Sequence, residues 1–86
     1  MDKILIELYI PASDKLYELK IPRHLKVIQV KRMIISYLGK QSESEYIPGE
    51  DAILCDYSTG KIIKLDTYIE EAGWFDGYKV FLVGWR

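Results

Sequence analysis

Apolar and polar residues alternate with a period of two over several stretches of the chain, and with a helical period over one. Lys3 to Ile10 sets Ile4, Ile6, Leu8 and Ile10 on one face and Lys3, Leu5, Glu7 and Tyr9 on the other, as a strand does. Pro11-Ala12-Ser13-Asp14 is a run of turn formers, and Lys15 to Ile21 then alternates again, with Tyr17, Leu19 and Ile21 on one side. The two runs predict a β-hairpin that Pro22, which has no N–H for a ladder, brings to an end. In Val27 to Gly39 the apolar residues Val27, Val30, Ile34 and Leu38 recur at three- and four-residue steps, which predicts a helix with one buried face. Gly39 is expected to end it in a left-handed cap, whereas no capping residue stands before Val27.

Beyond the helix, Lys40 to Asp51 is polar and rich in turn formers, a surface loop whose Glu43, Glu45, Glu50 and Asp51 are expected to be solvated. Ala52 to Tyr57 predicts a third strand, Lys61 to Lys64 a short fourth one, and Asp66 to Gly73 a single helical turn with Ile69 and Ala72 as its apolar side. Asp76-Gly77 marks a tight turn. Tyr78 to Trp85 is apolar on both faces, as a central strand tends to be. Placed beside the first strand, it would pair in parallel, with the helix as the crossover. Val80 and Leu82 would then face the helix with Ile4, Ile6, Leu19, Ile53 and Ile34.

This order, ββαββ-turn-β, resembles the ubiquitin-like β-grasp superfamily over nearly the whole chain. The sharpest part of the likeness is Ile69-Glu70-Glu71-Ala72-Gly73-Trp74-Phe75-Asp76-Gly77-Tyr78-Lys79-Val80. It is similar to the apolar-x-x-small-Gly-apolar-x-x-Gly-x-x-apolar run that opens the last strand in that superfamily. The resemblance implies an α+β fold: one domain over residues 1–86, with a mixed sheet of four to five strands packed on one helix. Trp74 is expected to plug the bottom of the core between two glycine turns. Within the superfamily, the chain length and an N-terminal strand beginning almost at once are most like the YukD type. Those are small proteins encoded with Gram-positive type VII secretion systems. The resemblance implies a cytoplasmic accessory or regulatory role and a protein partner, with a membrane component of the secretion machine as the candidate. Modifiers and sulfur carriers act through a flexible Gly-Gly tail; Val83-Gly84-Trp85-Arg86 departs from that pattern, so this second role is disfavoured.

Composition adds exclusions. An apolar share of 49% with 29% charged residues is that of a globular domain, not a disordered tail. A formal charge of −1 gives no electrostatic reason to expect nucleic acid or an anionic membrane. The apolar runs fall short of the roughly 20 residues that span a bilayer, so no direct membrane insertion is expected. His24 and Cys55 are single residues of their kind, too few for a metal site, and no nucleophile stands near His24 in sequence. Glu70 and Glu71 are adjacent on a helical turn and point apart, and Gly73 and Gly77 precede no helix that could bind phosphate. No enzyme activity and no cofactor are expected.

The residues singled out for function lie on the face of the sheet away from the helix. If Val80 and Leu82 look inward, Phe81, Val83 and Trp85 look outward, with Leu5, Tyr9 and Leu54 beside them. Such a contiguous apolar stripe marks an interaction surface, and aromatic residues are favoured anchors in one. Its occupant is either a foreign protein or a second copy in a homodimer. A slip of one residue in register would turn the same side chains into core.

Overall fold

The computed structural model describes residues 2–40 and 48–84. Glu43 and Glu45 of the expected surface loop, and Trp85 of the expected stripe, lie outside the described residues. Four strands, β1 (Lys3–Ile10), β2 (Lys15–Pro22), β3 (Ile53–Asp56) and β4 (Tyr78–Val83), form one sheet in the order β2-β1-β4-β3. The helix α1 (Val27–Gly39) packs on one face of it through Val27, Val30, Ile34 and Leu38, each at most 1% exposed. β4 is parallel to β1, while β2 and β3 are antiparallel to their neighbours. The last strand therefore lies in the middle of the sheet, which is why both its faces are apolar.

The start of α1 is satisfied by a distant segment, not by a cap residue at its own end. Val27 N–H donates to Thr67 O and Ile28 N–H to Leu65 O, both at 2.9 Å, which takes up two of the donors that a helix leaves without intrahelical partners. Gln29 Oε1 accepts from Lys26 N–H at 2.9 Å, the return half of a capping box. The far end departs from expectation. Gly39 has no positive φ, and the capping residue is Lys40 in the right-handed region (φ −91°), its N–H bonded to Tyr37 O. The 3₁₀-type bond tightens the last turn, so the left-handed cap is not needed.

The turn over residues 69–72 closes as a Schellman motif. Gly73 N–H reaches Glu70 O and Trp74 N–H reaches Ile69 O, with Gly73 left-handed at φ 83°. Ile69 and Trp74, the apolar residues at the two ends of the motif, are both buried, whereas Ala72 is exposed. Trp74 thus closes the core as expected, stacked on Tyr78 with ring centroids 4.9 Å apart. An added Cβ at Gly73 would meet nothing within 4 Å, so Gly73→Ala isolates the cost of the left-handed backbone. We expect that substitution to lower stability by about 1–2 kcal/mol, read as a lower midpoint in urea with an unchanged slope.

The expected fourth short strand, Lys61 to Lys64, is reduced to an isolated bridge between Cys55 and Ile62. Asp56 N–H donates to Lys61 O and Ile63 N–H to Leu54 O, so this segment still occupies the outer edge of β3. Among the described residues, no helix is long and apolar enough to cross a membrane.

Candidate functional site: the outer face of the sheet

On β1 the buried side chains are Ile4, Ile6, Leu8 and Ile10, so Leu5, Glu7 and Tyr9 stand on the face away from the helix. On β4 the same alternation buries Val80 and Leu82 and turns Lys79, Phe81 and Val83 outward, all partly exposed. The expectation for Leu5, Tyr9, Phe81 and Val83 therefore agrees with where these residues lie. Leu54 is corrected. It pairs with Leu82 and is 1% exposed, so it belongs to the core, while Ile53 opposite Val83 and Cys55 opposite Phe81 lie on the outer side of the strand, where Cys55 is nonetheless covered and 5% exposed. Asp56 shares Leu54's side of the strand, so a carboxylate and a core leucine alternate on one face and the pattern along the chain does not mark which face is buried.

Asp56 keeps that place because it ends the strand in a cage of donors. Its Oδ2 accepts from Thr59 Oγ1 at 2.8 Å, from Thr59 N–H at 3.0 Å and from Ser58 Oγ at 3.0 Å. Tyr78 OH donates to the same carboxylate, and these bonds hold Asp56 below its ordinary pKa of 3.8, with the Tyr78 bond the largest cause. Burial raises the Tyr78 phenol far above its ordinary value, and its bond to Asp56 raises it further. The two shifts act at opposite ends of the pH scale. A lowered carboxyl stabilises the folded chain above its unfolded pKa and loses that contribution as acid protonates it; a raised phenol does so below pH 10 and loses it in alkali. We expect Asp56→Asn to flatten the acid limb of the stability profile, measured by urea melts from neutral pH down through the carboxylate range.

Pairing across the sheet lines up the outward residues. Leu16, Tyr9, Phe81 and Cys55 are consecutive partners across all four strands, and Ile62 extends the row beyond Cys55. Leu16 is 55% and Ile62 68% exposed, so both ends of the row stand open to solvent. Tyr57, just past β3, lays its ring over the middle of it, 6.2 Å from Tyr9 and 6.3 Å from Phe81, each edge to face. Lys79 Nζ sits 4.7 Å from the Tyr57 ring and 3.5 Å from Glu7 Oε1, so its charge is held along the side of the aromatic cluster. Tyr9 OH donates to Asp14 Oδ1 at 2.7 Å, which fixes the ring and, as the largest cause, raises the phenol pKa. Leu5 is pinned by the turn before β4: Asp76 Oδ1 accepts its N–H at 2.8 Å and Gly77 N–H donates to its carbonyl at 2.7 Å.

Reading the sequence missed Tyr57, Ile62 and Leu16. Each falls outside the strand core or at the sheet's edge, where periodicity carries little signal. Burial raises the pKa of the Cys55 thiol, which disfavours its thiolate form. His24 is exposed in the turn before α1. No group of three or more His, Cys, Asp or Glu side chains could hold a metal ion among the described residues.

No protein-family model matches the chain, and neither does any curated protein. Solved structures do. The ubiquitin of Caldiarchaeum subterraneum superposes with a TM-score of 0.78 at 17% identity, covering 98% of this chain and 95% of that one. The N-terminal ubiquitin-like domain of the 4931431F19Rik protein gives 0.76 at 22% identity, over 99% and 77% of the two chains. The ubiquitin-like domain of Plasmodium falciparum Dsk2 gives 0.73 at 21%, over 94% and 96%. At these identities the likeness is one of architecture. A helix cradled on a mixed sheet whose last strand runs parallel beside the first is the ubiquitin-like β-grasp fold, and that is the fold of this protein.

Proposed function

We propose that this domain works by protein–protein contact through the outer face of its sheet, as an accessory component of a bacterial type VII secretion apparatus. It acts in the cytoplasm, without catalysis, and docks on the cytoplasmic part of a membrane component. The observation that carries the contact surface is the row Leu16-Tyr9-Phe81-Cys55-Ile62 with Tyr57 laid over it. Apolar and aromatic side chains are here drawn into one band with a polar border of Glu7, Glu18 and Lys79, the composition of an interface centre and its rim. The secretion role rests on the resemblance to the YukD type in chain length, in the early N-terminal strand and in the apolar helix Val27 to Gly39. Leu5, Tyr9, Phe81 and Val83 are the contact residues first named that keep their place on this face; Ile53, Tyr57 and Ile62 join them.

The test uses the cytoplasmic domain of the secretion ATPase from the same genome. Wild-type protein is expected to bind it in titration, and Phe81→Asp is expected to remove the binding while the fold persists. Equal binding by both proteins would take the contact off this face. Binding by neither would end the secretion reading.

A further inference from the structure

β3 has its outer edge covered by residues 61–63, but among the described residues nothing pairs to the other side of β2. Which backbone groups it leaves open follows from the ladder. Arg23 N–H donates to Asp2 O at 2.7 Å, and antiparallel bonding alternates along the strand, so Ile21, Leu19, Tyr17 and Lys15 direct their backbone groups to β1. β1 gives the same parity independently, since Leu5 spends its N–H and carbonyl on Asp76 and Gly77, on the β4 side. The free edge is therefore made of the N–H and carbonyl groups of Leu16, Glu18 and Lys20. The side chains of Glu18 and Lys20 stand on the exposed face, and neither has an ion pair among the described residues. Glu18 faces a like charge, Glu7, whose carboxylate is already taken by Lys79.

We infer that two copies of this chain join edge to edge through β2, antiparallel about a two-fold axis centred on Leu19. In that register Glu18 of each copy lies opposite Lys20 of the other, and the two residues exchange both backbone hydrogen bonds. The four strands of each copy then form one sheet of eight. Neighbouring registers fail. Centring on Glu18 sets that carboxylate against itself, and centring on Tyr17 sets it against Leu16. Lysine and proline on an edge usually blunt it against unwanted pairing; here only the register centred on Leu19 sets both charges of each copy against opposite ones. On the inner face Leu19 meets its own copy and Tyr17 meets Ile21, residues already packed on or within the core. The axis is perpendicular to the sheet, so both helices lie on one side and both outer faces on the other. The aromatic band stays open, and the dimer displays it twice.

Sedimentation of the wild type beside Glu18→Lys and Lys20→Glu tests this. Each single reversal places like charges opposite one another twice and is expected to weaken the dimer by roughly tenfold or more. Mixing the two variants restores opposite charges at both positions, so a heterodimer of wild-type strength is expected. Phe81→Asp, which alters only the outer face, is expected to leave the dimer unchanged. Amide exchange at Leu16, Glu18 and Lys20 is expected to slow as the protein is concentrated, with Tyr17 and Leu19 unaffected. A wild type that stays monomeric to its solubility limit overturns the inference. So does a dimer that survives both reversals, or a mixture that fails to associate.

Discussion

Leu54→Asp is expected to leave the chain largely unfolded, whereas Ile53→Asp, one residue away, is expected to be tolerated. Leu54 is 1% exposed between Leu82 and the core, so a carboxylate there loses its water and gains no partner. An uncompensated buried charge costs about 3–5 kcal/mol, and losing the leucine's own burial adds about 2 kcal/mol. A domain of this length holds roughly 4–13 kcal/mol in total, so the sum is of the same size as the whole. Ile53 lies opposite Val83 on the outer face and is only partly buried, so its aspartate stays hydrated at a cost of about 1 kcal/mol or less. Far-UV circular dichroism and urea melts of the two variants separate these outcomes. Two equally folded proteins would mean that the strand presents neither face to the core.

Phe81→Asp carries the larger functional effect. Its ring is the middle of the band, packed edge to face on Tyr57 and flanked by Tyr9 and Cys55 on the neighbouring strands. Central aromatic anchors of an interface are commonly worth about 2 kcal/mol or more, roughly 30-fold in affinity. An aspartate at that position also puts a desolvated charge into the contact. Binding is therefore expected to fall at least that far, while the urea midpoint changes little because Phe81 points away from the core. A variant that binds as the wild type does would place the functional surface elsewhere. One that loses binding and stability together would mean that the outer residues also support the fold.

Most of the fold was legible in the chain because most of its signals are local. The alternation in Lys3 to Ile10 and Lys15 to Ile21, the steps of Val27, Val30, Ile34 and Leu38, and the glycines at 73 and 77 each depend on residues that are neighbours in sequence. The outward places of Tyr9 and Phe81 followed from the same alternation. Three features were not legible, the first two because their partners lie elsewhere in the chain and the third because two local caps were open to it. Leu54 and Ile53 were not assigned to the right face because the expected strand, Ala52 to Tyr57, is apolar on both sides apart from a carboxylate that Tyr78, Ser58 and Thr59 solvate in place of water. The start of α1 looked uncapped because its donors are met by Thr67 and Leu65. The end of α1 was expected to use Gly39, yet the right-handed turn at Lys40 suffices.

By itself, then, the sequence determined the elements, their order and the face each long strand buries, since periodicity over six or more residues overrides any single exception. It also determined that the last strand, apolar on both sides, must lie inside the sheet. Tertiary structure alone decided the phase of the short β3, and it set Leu16, Tyr9, Phe81, Cys55 and Ile62 in one row, because a row across strands is fixed by register and not by spacing along the chain. It decided, too, that one edge of the sheet is covered by residues 61–63 while the other, with Glu18 and Lys20 on it, is left open by the described residues. Hydrogen bonds between distant segments make that choice, and no local pattern records it.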